Sequence, residues 1–398
     1  MTSSEPNPEF EFLCGCVRRF VHPLSPLPNP SQLDWAALIE LAREHLVLPL
    51  LTRALNGSQA APADVLIRLR ESFKDSARSN LALSSELIRL LEAFQSAGVP
   101  VVPLKGPTLA EHLYGDVTLR SFSDLDLLIQ RADVLRVKSL LESRGYRLTS
   151  PLHWNSESAV LRARDSQLTF SEPERRIAID VHWRLLPEYY PAALETQHVW
   201  RDLRTIAFAG RQIPALRPEQ LLLFLAAHGA KHHWERLGWI CDVACLIRAE
   251  TNAETNAEPN MDWDLPFREA EHSATSRMLA LSLLLANRVA GAVLPAEVAR
   301  RIEQHPAADS LAAAIRTRIA SKTPGTSTTL DAARFAWQLY DRPTTALAAI
   351  AGIFFLPTEA EYRALQLPTP LFGLYYPFRL LRLGTKYTAQ ALGFGRSG

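Results

Sequence analysis

Apolar residues recur every three to four positions in "SQLDWAALIELAREHLVLPLLTRALN" and again in "APADVLIRLRESFKDSARSNLALSSELIRLLEAFQSAG". That spacing predicts amphipathic helices over 31–98, with Ser31 or Asp34 as the first cap and Gly98 as the stop. The pattern then changes. "VPVVPLKG" is apolar and β-branched, as a short strand would be. Pro107 suits a first helical turn, and "PTLAEHLYG" closes on Gly115. "LRSFSDLDLLI", Leu119 to Ile129, reads as the next strand. "DVLRVKSLLESRGY" is an amphipathic helix that stops at Gly145, and "YRLTS" is a short strand.

"AVLRAR" and "QLTFS" read as two further strands, with turn chemistry at Glu172–Pro173–Glu174. "RIAIDVHW" alternates clearly: Ile177, Ile179, Val181 and Trp183 face one way, and Ala178, Asp180 and His182 face the other. From about residue 217 the helical period returns. "RPEQLLLFLAAHGAKHHWERLGWICDVACLIRA" holds two helices and "REAEHSATSRMLALSLLLANRVAG" another. "ETNAETNAEPN" and "SKTPGTSTT" are polar loops, and Asp262 or Asp264 caps the helix after the first of them. The expected fold class is α+β: a small mixed β-sheet core over 99–215, flanked by an N-terminal helical region (1–98) and a C-terminal one (216–398).

Composition narrows this picture. With 398 residues, 47% hydrophobic and 21% charged, the chain has the length for two domains and ample core. Lys+Arg 43 against Asp+Glu 42 leaves a net charge of +1, which argues against a dedicated binder of long nucleic acid. Cys14, Cys16, Cys241 and Cys245 make no disulfide framework for a chain of this size, so a reducing, cytoplasmic setting is expected. Cys241 and Cys245 lie one helical turn apart in an apolar segment and read as core. "MTSSEPNPEFEF" lacks the basic start and apolar core of a signal peptide. "ALAAIAGIFFLP" is about a dozen residues, short of the ~20 that a spanning helix needs, so no transmembrane segment is expected. The C-terminal "LYYPFRLLRLGTKY" mixes aromatic and basic residues, and either touches a membrane interface or docks on the chain's own helices.

The chemistry concentrates in three places. Asp124 and Asp126 are two residues apart, so on a strand they share a face, with Cα atoms about 6–7 Å apart. Such charges repel unless something positive lies between them. The bland alternative is two exposed carboxylates at the solvated end of a strand. Asp180 adds a third acid on the polar face of a later strand. Three converging carboxylates form a hard-oxygen site for Mg²⁺ or Mn²⁺. Gly106 leaves room for backbone to approach a phosphate. The helix begun by Pro107 and Thr108 offers free N–H groups, and Lys105 and Arg120 could neutralise phosphate charge.

At these residues, "LKGPTLAEHLYGDVTLRSFSDLDLLI…LLESRGY…IDVHWRL" resembles the uncharacterised nucleotidyltransferase family of the polymerase-β-like superfamily. Leu104, Lys105, Gly106, Arg120, Asp124, Asp126, Asp180, His182 and Trp183 carry the likeness. "HGAKHHWERLGWICDVACLI" extends it more weakly into the helical part. Pro107 departs from the wider superfamily, which has Gly or Ser after the turn glycine, so a phosphate-contacting serine is missing at that step. The resemblance implies metal-dependent transfer of a nucleoside monophosphate from an NTP, with ATP the expected donor, to an unspecified acceptor hydroxyl. It implies that Asp124, Asp126 and Asp180 hold the metal, and that Asp180 also serves as base. Lys105, Gly106, Thr108, Arg120 and Lys231 would bind the nucleotide. Two rivals stand beside it: a catalytically silent nucleotide- or partner-binding protein on the same fold, and a metal-dependent phosphohydrolase. The latter would use His228 and His232, which lie one helical turn apart. Asp242 could orient one of these histidines or fill a polar gap.

Overall fold

The computed structural model describes residues 7–31, 33–58, 60–149, 166–187, 190, 196–251, 261–321 and 328–391. The chain opens with α1 (Pro8–Val21), α2 (Trp35–Glu44), α3 (Leu48–Leu55) and the 34-residue α4 (Ala63–Ser96). Asp34 caps α2, its carboxylate accepting from the N–H groups of Ala36 and Ala37 at 3.0 Å each. The helical stretch over 31–98 is therefore divided. One break is at Leu46, whose positive φ of 61° turns the chain between α2 and α3.

Among the described residues, five strands form a mixed sheet in the order β1 (Val101–Pro103), β2 (Leu125–Ile129), β5 (Ile177–His182), β4 (Gln167–Glu172) and β3 (Arg147–Leu148). Among the described residues, the β2–β5 pair alone is parallel. Between β1 and β2 lie the one-turn α5 (Pro107–Leu109) and a π-helical turn over Ala110–Tyr114 that ends at Gly115. Helix α6 (Val134–Ser143) precedes β3. The "AVLRAR" stretch lies outside the described residues. The β4–β5 turn falls at Pro173–Arg176, as the Glu172–Pro173–Glu174 chemistry predicts, with the Arg176 N–H donating to the Pro173 carbonyl.

All five residues of β2 are buried, because the sheet is covered on both faces. Leu125, Leu127 and Ile129 enter one apolar cluster with Leu87, Phe94, Val137, Phe170 and Ile179; Leu128 enters a larger one built mainly from helices. Asp126 shares the Leu128 side, so its charge sits where the helices close over the sheet.

After α7 (Thr196–Arg201), β6 (Arg204–Phe208) and β7 (Arg211–Ala215) form a hairpin on their own. Then come α8 (Pro218–Lys231), α9 (Leu237–Thr251), α10 (Asp264–His272), α11 (Ser276–Arg288), α12 (Ala296–Glu303), α13 (Pro306–Ala320) and α14 (Thr329–Leu339). Helices α8, α9 and α11 are buried along most of their length and supply much of the larger core. The four cysteines are free and buried in it.

The chain ends in α15 (Pro343–Phe355), α16 (Glu359–Ala364) and α17 (Tyr375–Ala391). Pro343–Ala364, 22 residues, has the length and composition of a membrane-spanning helix. Its helix is interrupted, however. Helix α15 stops at Phe355, where Leu356 turns extended, and is about 20 Å long by the helical rise, against ~30 Å of hydrocarbon. Glu361, in the remainder, is fully buried and paired with Arg379 at 3.0 Å and with Arg382. Tyr375 is likewise buried, donating to the Leu365 carbonyl at 2.7 Å. The tail thus docks on its own helices at Tyr375 and Arg379, while Leu371, Leu380 and Leu381 remain exposed.

One histidine ties the N-terminal helices to α9. His45 is buried, and its Nδ1 accepts the Leu237 N–H at 3.2 Å. Burial lowers its pKa to about 4. In the unfolded chain it titrates near 6.5, so between pH 6.5 and 4 the unfolded state binds the extra proton. Stability therefore falls as pH drops through that window. By about 1.4 kcal/mol per unit, the loss amounts to about 3 kcal/mol at pH 4. Urea unfolding of wild type and His45→Gln at pH 7 and pH 4.5 checks this. The variant should lose distinctly less stability on acidification; an equal loss would show that His45 stays neutral in neither state or in both.

Candidate active site

The strand order brings distant acids side by side. Asp126 and Asp180 are directly paired across the parallel β2–β5 ladder. Alternation along β5 puts His182 on the same face as Asp180, while Ile179, Val181 and Trp183 go to the core. One carboxylate oxygen of Asp126, Asp180 and one His182 nitrogen all lie within 4.8 Å of one another. Thr169 on β4 donates to Asp180 Oδ1 at 2.6 Å and holds that side chain in place.

Asp126 is already partnered. Lys105 Nζ lies 3.1 Å from Oδ2, and His182 Nε2 donates to Oδ1 at 3.1 Å. Burial opposes ionisation at this 5% exposed carboxyl, but Lys105 and His182 override it and hold its pKa well below the usual carboxylate range. Asp124 behaves differently. It sits one residue ahead of β2 rather than within it, so the strand spacing expected for the Asp124–Asp126 pair does not apply. Burial, together with the charge of Asp126, pushes its pKa up to about 6. The two acids therefore differ: Asp126 is fixed as a carboxylate, and Asp124 exchanges its proton near neutrality.

Lys105 and Gly106 follow β1. The Leu104 N–H donates to the Asp126 carbonyl at 2.9 Å, which fixes the turn against the acid strand. Gly106 has φ 69° and ψ −133°, a conformation that only glycine adopts easily. A Cβ there would also press to 3.4 Å from the Asp124 carbonyl oxygen.

A cavity of about 450 Å³ opens over these groups. It gathers Lys105, Gly106, Arg120, Asp124, Asp126, Asp180, His182 and Lys231 on one lining. Thr108 is buried outside it, with its hydroxyl donating to the Lys105 carbonyl at 3.2 Å. Arg120 is 8% exposed and clamped by Asp242 through Nε at 2.8 Å and Nη2 at 2.9 Å. Tyr114 donates to the same carboxylate at 2.7 Å. Asp242 thus anchors Arg120 and Tyr114 rather than a histidine.

The far wall comes from α8 and α9. His228 and His232 pack on Trp239, with ring centroids 5.5 Å and 5.2 Å away. Burial, then Lys105, lowers the pKa of His228; burial, then Lys231, brings His232 to about 4. Both are neutral rings at pH 7. The residue after His228 is glycine because a Cβ at Gly229 would lie 2.5 Å from the Trp234 ring. Among the described residues, the cluster with metal-ligand spacing is Asp126, Asp180 and His182, without His228 or His232. His182 is the member of this cluster that sequence pattern places on the polar face of the strand without marking it as a ligand. Its position two residues after Asp180 was the available signal.

Two carboxylate oxygens and an imidazole nitrogen suit a hard or borderline divalent cation. Such an ion would take the place of the Lys105 ammonium beside Asp126, and Lys105 already borders the cavity into which it would turn.

No curated protein and no solved structure matches the chain. A family profile described as "Uncharacterised nucleotidyltransferase" matches residues 31–291, a span that contains the whole cavity lining. With that match over well more than half of its length, the chain belongs to the uncharacterised nucleotidyltransferase family.

Proposed function

We propose that the chain transfers a nucleoside monophosphate from an NTP, with ATP the expected donor, to an acceptor hydroxyl and releases pyrophosphate. The observation that carries this reading is the register of Asp126 with Asp180 across parallel strands, facing Lys105. A turn after β1, acids at the start of β2 and a third acid on the adjoining strand follow the polymerase-β-like pattern, and we extend the fold reading to that core.

Asp126, Asp180 and His182 would hold Mg²⁺ or Mn²⁺, with Asp124 joining once deprotonated, and the ion would supply positive charge to offset that of the triphosphate. Lys105 turns from Asp126 to the phosphates as a mobile point charge. Gly106 lets the backbone approach them, and Thr108 braces that turn through the Lys105 carbonyl. Arg120 keeps a fixed positive charge on the wall, and Lys231 adds another from α8. Asp180 accepts the proton of the acceptor hydroxyl. The new O–P bond forms at the α-phosphorus as the bond to the pyrophosphate oxygen breaks.

The test is a pair of thermal melts with ATP, with and without Mg²⁺, on wild type and on Asp124→Asn/Asp126→Asn. Wild type should show a Mg²⁺-dependent ATP shift that the double variant lacks. Equal shifts in both proteins would sink the reading.

A second reading draws on the Lys105–Asp126 pair, which compensates the central acid with no metal at all. On this reading the chain is a catalytically silent nucleotide binder. ATP binding that is indifferent to Mg²⁺, with no pyrophosphate released over any hydroxyl acceptor, would select it.

A further inference from the structure

The described residues form a second cavity, of about 710 Å³, between α1, α3, the π-turn and α9. Nothing in the nucleotidyl chemistry uses it. Its lining includes Arg19, Arg53, Arg248 and His112, and no aspartate or glutamate. The apolar part is a stacked pair, Phe20 on Tyr114, with centroids 5.3 Å apart and planes 26° from parallel. Arg248 lies over the Phe20 ring at 4.9 Å and Arg53 at 5.6 Å. Arg248 is fixed there, donating to the backbone carbonyls of Phe20 at 2.6 Å and Leu113 at 3.0 Å. Neither of those carbonyls neutralises its charge.

Nearby acids do not relieve this accumulation. Glu250 is shared by Arg204 at 2.9 Å and His112 at 3.8 Å and, among the described residues, pairs with none of the three cavity arginines. Among the described residues, Arg19 and Arg53 have no carboxylate partner. Three guanidinium groups turned to one concave surface repel each other, and the repulsion is relieved when an anion enters. Guanidinium forks match paired phosphoryl oxygens in particular.

We propose that this cavity binds a phosphoryl-bearing anion of at least two negative charges, small enough to be an oligophosphate or a single nucleotide. Arg248 is the fixed floor of the site, and Arg19 and Arg53 close on the ligand from the exposed rim. The site is separate from the catalytic cavity, although the two share a node. Tyr114 lines this one and donates to Asp242, which holds Arg120 in the other. The proposal does not depend on the nucleotidyl reading.

Pyrophosphate is the probe, titrated calorimetrically into the full chain in EDTA, with wild type, Arg19→Glu/Arg53→Glu and Lys105→Ala compared. Both arginines are exposed, so the double variant should fold, as circular dichroism and melting confirm. Wild type should bind, the arginine variant should bind at least about tenfold more weakly, and Lys105→Ala should keep the binding component that the arginine variant loses. Wild-type binding that survives in the arginine variant would overturn the proposal, as would loss in Lys105→Ala alone or no binding by wild type. ADP competing at lower concentration than pyrophosphate would identify the ligand as a nucleotide; weaker competition would identify an inorganic oligophosphate.

Discussion

Asp126→Asn is expected to lower nucleotidyl transfer by about 10³-fold while leaving a folded protein. The residue is the point where the site's contacts meet: Lys105 on one oxygen, His182 on the other, and Asp180 in register beside it. The amide keeps the shape and can still accept from His182. It removes the charge that sets the position of Lys105 and that any divalent ion would need. A loss of that size corresponds to about 4 kcal/mol of barrier. Stability should fall less, by about 1–3 kcal/mol, since Lys105 can turn into the adjoining cavity instead of staying buried and unpaired. Labelled-ATP transfer and urea unfolding on the same preparation separate the two effects. Hydrolysis of labelled ATP that survives Asp126→Asn but is lost with His228→Ala would move the chemistry to the helical wall and support a hydrolase.

Arg120→Ala should be the most destabilising change in the cavity wall, by about 3–5 kcal/mol. Asp242 is 2% exposed and would lose its bidentate partner. Among the described residues, Tyr114 alone would remain to it. Burial alone disfavours the guanidinium charge, and Asp242 reverses that, keeping Arg120 firmly protonated. Asp242→Ala should cost a similar amount. The double change Arg120→Leu/Asp242→Leu should recover a large part of the loss, because replacing both members of a buried pair by apolar groups removes two desolvation costs together. Urea midpoints at constant m-value measure this. A single-variant loss under about 1 kcal/mol would show the pair to be as weak as a surface one.

Which parts of the site the sequence reveals depends on how far apart its members lie. Lys105, Gly106, Asp124 and Asp126 fall within one turn–helix–strand unit, and Asp180 lies on a strand with clear alternation, so local pattern finds them. Asp124 shows the limit of that pattern. A period of two assumes that the strand has begun, and here it begins one residue later. The Arg120–Asp242 pair spans 122 residues, and nothing local to either residue names the other. The β6–β7 hairpin is hard to read because Ala209 and Gly210, both at positive φ, make its turn without the usual Asn-Gly signal. The basic cavity is hidden for the same reason as the ion pair. Its arginines come from α1, α3 and α9, and each looks like an ordinary surface residue until the helices pack.

The separation of Arg120 from Asp242 also orders events during synthesis. A nascent chain that has passed residue 215 holds Lys105, all three aspartates and the strands that carry them, and can bury Leu125, Leu127 and Ile129 against α4 and α6. It has neither the counter-ion for Arg120 nor the Trp239 wall. The acids are made first, and the cavity closes only when α9 arrives. A product cut short before that helix carries every acid of the site with neither Asp242 nor Trp239 to close the cavity over them.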